Sequence, residues 1–268
     1  MTEKINIQVF SDIHIESWNK LPIIPIKSKF LFLAGDICPI THPLFYPFFE
    51  YCSKNWKKVF YISGPEEFYI KKKNFNELSF EYKYKLNEKF KNVFYLNNEC
   101  ILLNDEIDVY GSTFWTVPNV ISTYKAKSYI KDFNNITYFN QKVNKIVEWD
   151  INYVEQLAED SFNLLKNHLE KTKKQTIIMT HFPPITTGVV DLNTKYNDIT
   201  KSYLSWDDDT IDYLDLKNVP IWISGHTHWS YNIKKNNCKY ISNQVGYKSE
   251  MCNTGINENG IFEIDIIS

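Results

Sequence analysis

Two carboxylates and four imidazoles in this chain stand in short motifs whose residue types could bind metal ions. They are Asp12, His14, Asp36, His181, His226 and His228. Such a mixture of oxygen and nitrogen ligands suits Zn, Fe or Mn better than Ca or Mg. Two cations held roughly 4 Å apart can clamp the attacking and leaving oxygens of a displacement at phosphorus. The set therefore predicts a centre of two divalent metal ions that hydrolyses phosphate esters.

The spacing of these residues has a mechanical reason. Side chains alternate along an extended chain, so Asp12 and His14 are predicted to project to the same side of a strand end. His226 and His228 repeat this spacing after Gly225, which permits a tight turn. Each motif is weak evidence by itself, because a strand often ends at an aspartate or a histidine. The prediction depends on the occurrence of all the motifs in one chain, each directly after an apolar run.

These motifs follow short apolar runs that are predicted to form strands buried on both faces. The runs cover residues 4–10, 29–34, 58–62, 175–180 and 220–224. In open α/β sheets, ligands bind at the carboxyl ends of the strands, where the candidate ligands stand. A helix is predicted over about 140–172 from apolar residues at spacings of three and four, Val147 included. Further strands at 229–234, 238–242 and 260–266 predict an antiparallel extension of the sheet.

Length and charge limit the function classes. The 268 residues, 43% of them hydrophobic, predict a single α/β domain over residues 1–268. A net charge of −2 gives no general basic field for nucleic acid, although scattered lysines leave a local basic patch open. All basic residues are lysines. A phosphate clamp would therefore use Lys, His, Asn or backbone N–H groups, because no guanidinium is present.

Cysteine usage and hydropathy bear on the compartment. Five cysteines without a CxxC pair favour reduced thiols. The chain starts directly with a strand pattern and shows no leader of basic residues followed by an apolar run. No apolar stretch approaches the roughly 20 residues that span a bilayer. A cytoplasmic location without membrane association is predicted, and the oligomeric state cannot be inferred from the sequence.

Four motifs together resemble those of the calcineurin-like metallophosphoesterases, and more closely the small bacterial and viral-type members. They are Phe10-Ser11-Asp12-Ile13-His14, Leu33-Ala34-Gly35-Asp36-Ile37, Thr180-His181-Phe182-Pro183-Pro184 and Ser224-Gly225-His226-Thr227-His228. Residues 111–116 and the pair Asp132-Phe133 also have counterparts in these members. The resemblance implies a four-layer α/β/β/α sandwich of two mixed sheets with the metal site at the strand ends.

The resemblance also implies roles for individual residues. The first metal ion would be bound by Asp12, His14, Asp36 and His228. The second would be bound by Asp36, His181 and His226, with Asp36 bridging the two. The implied activity is hydrolysis of a phosphomonoester or phosphodiester by metal-activated hydroxide. A nucleotide or a nucleic acid is among the substrates that the sequence leaves open.

One motif departs from the family pattern Gly-Asn-His-Glu, since this chain has Gly64-Pro65-Glu66-Glu67. Pro65 replaces the asparagine that completes the second metal's shell, and proline has no side-chain ligand atom. Glu66 replaces the histidine that assists the leaving oxygen and is the candidate catalytic residue there. A carboxylate beside two cations is ionised and has no proton to give. Glu66 or Glu67 could replace the missing ligand, and a weakly held second metal is the other interpretation.

The altered motif supports an alternative function. A catalytically impaired pseudo-phosphoesterase would keep the fold and act as a binding or regulatory module, and an engineered, inactivated variant would have the same sequence features. The retention of six ligands favours an enzyme whose activity is weakened by Pro65 and Glu66. His42, in the loop after Asp36, is a further candidate for the missing imidazole. Val245 stands where related chains commonly carry arginine.

Overall fold

The computed structural model of the chain describes residues 3–120, 122–251 and 253–266. It has a mixed α/β fold with two large sheets and a separate hairpin. The strands are β1 (Glu3–Phe10), β2 (Phe30–Ala34), β3 (Lys58–Ile62), β4 (Val93–Tyr95), β5 (Glu99–Leu102), β6 (Ile107–Ser112), β7 (Thr137–Asn140), β8 (Lys145–Glu148), β9 (Gln175–Thr180), β10 (Ile221–Ser224), β11 (Tyr231–Lys235), β12 (Cys238–Ser242) and β13 (Ile261–Ile266).

Helices connect many of these strands. They are α1 (Phe45–Asn55), α2 (Phe75–Lys89), α3 (Thr123–Lys127), α4 (Asp132–Asn135), α5 (Ile151–Lys171), α6 (Asp198–Ser202) and α7 (Asp208–Ile211). Two short 3₁₀ helices follow strand ends, at Ile15–Ser17 and Glu66–Phe68. None of the described helices is long and apolar enough to cross a bilayer.

Both sheets are mixed, as predicted. The first has the order β13-β1-β2-β3-β4, in which β1 to β4 are parallel and β13 is antiparallel to β1. The second has the order β11-β12-β10-β9-β6-β5, with four parallel central strands and an antiparallel strand at each edge. A bridge between Ser11 and Gln244 links the ends of β1 and β12. Parallel pairing therefore brings the carboxyl ends of the central strands together at one edge of each sheet.

The burial pattern establishes four layers. Residues of β2 alternate between two apolar cores: Phe32 faces the core between the sheets, whereas Leu31 and Leu33 face the core under α1 and α2. In β9 and β10, Ile177 and Ile223 belong to the core between the sheets. Their neighbours Ile178 and Trp222 pack with Leu165 and Leu169 of α5 on the outer side of the second sheet. The predicted α/β/β/α sandwich is confirmed.

The five strands predicted before the candidate ligands are present as β1, β2, β3, β9 and β10. The three predicted C-terminal strands correspond to β11, β12 and β13, and β12 pairs parallel with β10 as well as antiparallel with β11. The predicted helix over 140–172 was wrong in its first part, because residues 137–148 form the hairpin β7–β8. Val147 pairs with Tyr138 there. Asp150 starts the helix, since its side chain accepts the N–H of Tyr153 at 3.0 Å.

Candidate metal centre

The six candidate ligands lie at the carboxyl ends of four neighbouring strands, where the two sheets approach each other. Asp12 and His14 follow β1, and Asp36 follows β2 in the same sheet. His181 follows β9, and the pair His226 and His228 follows β10 in the second sheet. Contacts across the two sheets join them, including the His226 backbone N–H, which donates to both Asp12 carboxylate oxygens at 3.0 and 3.1 Å. The structure thus brings together residues more than 200 positions apart in sequence.

Asp12, His14 and His228 form a first group with converging atoms. His14 Nε2 lies 3.0 Å from His228 Nε2, which is 3.6 Å from Asp12 Oδ1. The Nδ1 of His14 contacts Glu16 at 3.1 Å and Glu66 at 3.2 Å, and the Nδ1 of His228 contacts Glu250 at 2.6 Å. Carboxylates accept hydrogen bonds, so both Nδ1 atoms carry the proton. The facing Nε2 lone pairs then require a shared proton or a cation between them.

The carboxylates around His14 favour a positive charge at this point. Burial lowers the pKa of His14, but hydrogen bonds to Glu16 and Glu66 outweigh burial and hold it well above its usual value. A metal ion meets the same demand without an added proton. Carboxylates on the outer nitrogens of metal-binding histidines orient the rings and raise their basicity. The first group therefore has ligand atoms that could hold a transition-metal ion and outer carboxylates that would orient them.

Asp36 and His181 form a second group with Asp12, and the His226 ring lies beside it, with its centroid 5.2 Å from that of His181. His181 Nδ1 donates to the Ala34 carbonyl at 2.9 Å, and its Nε2 forms an ion pair with Asp36 Oδ2 at 3.4 Å. Within the described residues, the buried Nε2 atoms of His181 and His226 have no hydrogen-bond partner. Burial lowers the pKa of His226 to about 3, so this ring is neutral. A buried imidazole nitrogen without a partner, such as Nε2 of His226, is costly in the protein alone and fits a cation that binds it.

The two charged members of this group depend on each other. Burial raises the pKa of Asp36, but the charge of His181 outweighs it and holds the value well below the usual range. Burial lowers the pKa of His181, and Asp36 reverses this and raises it to about 9. The site therefore keeps one buried negative and one buried positive charge together without a metal ion. A bound divalent cation would displace the proton of His181 and pair with Asp36 instead.

Five of the six candidate ligands have a left-handed backbone, which is uncommon for residues other than glycine. The φ angles are 51° at Asp12, 47° at His14, 50° at Asp36, 76° at His226 and 53° at His228. Each such residue costs on the order of 1–3 kcal/mol and persists where the surroundings enforce it. Strain of this kind concentrates at functional sites, and no local sequence pattern predicts it at these positions.

Gly64 and Gly225 are among the glycines that leave room for the ligands. A Cβ at Gly64 would lie 2.4 Å from Asp36 Oδ1 and 2.7 Å from His181 Nε2. A Cβ at Gly225 would lie 2.6 Å from Asp12 Oδ2. These distances are far below ordinary contact, so any larger residue would displace a carboxylate or an imidazole.

Comparisons with known proteins agree with this geometry. Residues 5–230 match the family model of the calcineurin-like phosphoesterases. The chain belongs to this family. It is 29% identical over 235 residues to the uncharacterized protein L509 of Acanthamoeba polyphaga mimivirus, covering 85% of this chain and 82% of that protein. The predicted family resemblance is thereby confirmed.

Solved structures support the fold of this calcineurin-like phosphoesterase. The phosphopantetheinyl hydrolase PptH from Mycobacterium tuberculosis superimposes with a TM-score of 0.66 at 13% identity, covering 98% of this chain and 95% of that one. The protein TT1561 of Thermus thermophilus superimposes with a TM-score of 0.50 at 9% identity, covering 90% of each chain. At these identities the likeness concerns the fold alone.

In this phosphoesterase Glu67 has a structural role that the sequence reasoning missed. Its buried carboxylate accepts the backbone N–H groups of Asp36 at 2.9 Å, Ile37 at 2.6 Å, Cys38 at 3.2 Å and Gly64 at 2.7 Å. It thus joins the loop after β2 to the loop after β3 and fixes the backbone of a candidate ligand. Because both oxygens are engaged, Glu67 does not supply the ligand missing at Pro65. In the sequence, the sign of this role is a glutamate two residues after Pro65, in the segment that forms a 3₁₀ helix.

Glu66 contacts the first group of ligands. Its carboxylate lies 3.2 Å from His14 Nδ1 and accepts the Tyr247 hydroxyl, whose ring stacks on His14 at 4.1 Å. Its backbone N–H donates to Asp36 Oδ1 at 2.9 Å. Across the described residues, the Glu66 side chain forms no hydrogen bond or ion pair with His181 or His226. This geometry does not place Glu66 as a replacement ligand beside His181 and His226.

A cleft of about 220 Å³ opens beside Asp36, His226 and His228. Its lining also includes four tyrosines, Lys131, Asp132 and Glu66. His42 is not among the described residues that line this cleft, and its Nδ1 accepts the Leu44 N–H at 3.3 Å within its own turn. A small substrate group can reach the candidate ligands through this opening.

Proposed function

We propose that this phosphoesterase hydrolyses a phosphomonoester or phosphodiester at a centre of two divalent cations. The ligands would be Asp12, His14, Asp36, His181, His226 and His228, with Asp36 between the two groups. The observation that carries the proposal is the pair of facing Nε2 atoms of His14 and His228 at 3.0 Å. Beside it, His181 Nε2 lies 3.4 Å from Asp36, and the buried His226 Nε2 has no hydrogen-bond partner among the described residues. Imidazole and carboxylate together suit Mn, Fe or Zn.

The residues of the chain have distinct tasks in this proposal. When bound, divalent cations withdraw charge from phosphoryl oxygens and lower the pKa of a bound water. Ala34 and Glu250 hold His181 and His228 in the tautomer whose Nε2 is free. Asp36 and His226 line the cleft, so a phosphoryl group that enters it meets both ligand groups.

The second cation would be held more weakly than the first. Its protein ligands are Asp36, His181 and His226, and Pro65 offers no side-chain atom where the family has an amide oxygen. The first has two histidines backed by three carboxylates, which belong to Glu16, Glu66 and Glu250. Outer carboxylates of this kind typically change metal affinity by about 10–100-fold.

A second candidate function is a metal-binding module without turnover. The observation that favours it is the engagement of Glu66 by His14 and Tyr247, which leaves the family's leaving-group acid without a replacement. Turnover of an aryl phosphate separates the two functions, because that leaving group needs no proton. A cytoplasmic location is part of the proposal, and the free thiols of Cys38, Cys52, Cys100 and Cys238 support a reducing compartment.

The substitution Asp36→Asn tests the proposed function. It removes a negative charge from both ligand groups, so turnover of nitrophenyl phosphate should fall by more than about 100-fold. Asp209→Asn, at an exposed position of α7, is the matched control and should leave turnover unchanged. Full activity and full metal content in Asp36→Asn would refute the assignment. Metal binding without turnover of any ester in the parent protein would favour the binding module.

A further inference from the structure

The acidic side chains at the cleft are all engaged as hydrogen-bond acceptors. Glu66 accepts the Tyr247 hydroxyl and contacts His14 Nδ1. Asp132, which is buried, accepts the hydroxyls of Tyr69 and Tyr203, the latter at 2.8 Å. Neither carboxylate is placed to give a proton to a leaving oxygen. A leaving group that needs protonation, such as an alkoxide, is therefore poorly served here.

Lys131 offers the cleft a positive charge instead. Its ammonium lies 5.7 Å from the Tyr247 ring centroid, and that ring stacks on His14 at 4.1 Å. Of the described residues that line the cleft, it is the only lysine, and the chain contains no arginine. No ion pair ties Lys131 to a carboxylate in the part of the chain that the structure describes. The ammonium is thus available to an anion that binds beside the candidate metal ligands.

A phosphoanhydride matches this combination of groups. Its leaving group is a phosphate, which departs without prior protonation and is stabilised by a cation. An ammonium on a flexible stem is a suitable partner for a phosphate oxygen. We propose that the substrate of this phosphoesterase is a phosphoanhydride of the nucleoside diphosphate type, and that Lys131 binds the leaving phosphate. This inference rests on the proposed function and specifies its substrate class.

The reaction balances with water as the co-substrate. The water oxygen forms a bond to one phosphorus, and the bond from that phosphorus to the bridging oxygen breaks. The bridging oxygen leaves with the electron pair as part of the second phosphate, and a proton passes to solvent. The volume of about 220 Å³ is below that of pockets that enclose whole drug-sized ligands. It suits the diphosphate group, and the nucleoside would lie at the rim near Tyr129, which is 50% exposed.

The substitution Lys131→Gln tests the inference on metal-loaded protein with three probes: ADP, nitrophenyl phosphate and the methylene-bridged analogue of ADP, which is not hydrolysed at the bridge. The kcat/KM for ADP should fall by about 10–100-fold, since a hydrogen bond to a charged group contributes at that level. Binding of the methylene analogue, measured by calorimetry, should weaken by a similar factor. The kcat/KM for nitrophenyl phosphate, which has no second phosphate, should fall by a smaller factor than that for ADP. Lys125→Gln, exposed on α3 and outside the cleft, is the control.

The possible failures are distinguishable. Turnover of nitrophenyl phosphate without turnover of ADP would overturn the inference and leave the proposed function standing. Equal losses on both substrates in Lys131→Gln would also overturn it, because Lys131 would then bind the phosphoryl group that is attacked. If no probe is turned over, the proposed function fails. In that case the binding measurement still tests this inference. If Lys131→Gln binds the methylene analogue as tightly as the parent protein does, the inference is overturned.

Discussion

Glu67 is expected to contribute more to the stability of this fold than any exposed glutamate. Its carboxylate accepts four backbone N–H groups, from Asp36, Ile37, Cys38 and Gly64, and the Tyr61 hydroxyl at 3.0 Å. The side chain is completely buried. Glu67→Ala therefore leaves four backbone donors without a partner and removes the link between the loops after β2 and β3.

The size of the effect follows from these contacts. A buried donor left without a partner costs about 1–3 kcal/mol. Water that enters the space of the lost side chain satisfies part of this demand, so the costs do not add in full. We expect Glu67→Ala to lower the free energy of unfolding by about 4 kcal/mol, a large part of the roughly 5–15 kcal/mol of a typical domain. Glu67→Gln keeps one acceptor oxygen and should cost about half as much.

Urea denaturation followed by circular dichroism measures these differences. Glu170→Ala is the matched control, because Glu170 is exposed on α5 and its loss should change stability by less than about 0.5 kcal/mol. A cost below about 1 kcal/mol for Glu67→Ala would refute the assigned role. The same result would mean that the backbone of Asp36 is held by other contacts.

Two further predictions concern the cleft. Pro65→Asn combined with Glu66→His should raise turnover of alkyl phosphates by about 10²–10⁴-fold through general acid assistance. Turnover of aryl phosphates should rise by less, because their leaving group needs no proton. Equal gains on both substrates would mean that the new amide acts only by restoring metal binding. Burial, against the hydrogen bonds from Tyr69 and Tyr203, raises the pKa of Asp132 from 3.8 to about 6. The folded chain then binds more protons than the unfolded chain between about pH 4 and 6, so this group makes stability fall as pH rises through that window. Between pH 4.5 and 7, the free energy of unfolding measured by urea titration should fall by about 2 kcal/mol less in Asp132→Asn than in the parent chain. An unchanged pH dependence in the variant would contradict the assignment.

The strands and the candidate ligands could be predicted because two simple rules govern them. Near-continuous apolar runs mark strands that are buried on both faces, and the polar residue after each run, such as Asp36 or His181, stands at the sheet edge where ligands bind. The start of α5 was misplaced because the apolar residues of β8, Val147 among them, continue the helical spacing by coincidence. The capping role of Asp150 was the contrary signal.

Other features depend on contacts that no local pattern encodes. The left-handed backbone at His14 and His228 is enforced by packing between two sheets whose strands are distant in sequence. The role of Glu67 depends on N–H groups about 30 residues away. The direction of the Glu66 side chain, toward His14, depends on Tyr247, which lies 181 residues further along the chain. The sequence shows only that both residues are carboxylates that could bind a metal ion or a hydrogen-bond donor. Their contacts in the structure show which donors each one binds.

Metal content is the most direct test of the account. The measurement is elemental analysis of protein purified without chelator, followed by calorimetric titration with Mn²⁺ or Zn²⁺, for the parent chain and for His228→Ala. Glu170→Ala, exposed on α5 and outside every group of candidate metal ligands among the described residues, serves as the control. The parent and the control should bind one divalent cation tightly and a second more weakly, because Pro65 lacks a ligand atom, and His228→Ala should lose the tight one. A parent protein that binds no divalent cation, or a His228→Ala variant that keeps the tight one, would contradict the proposed centre.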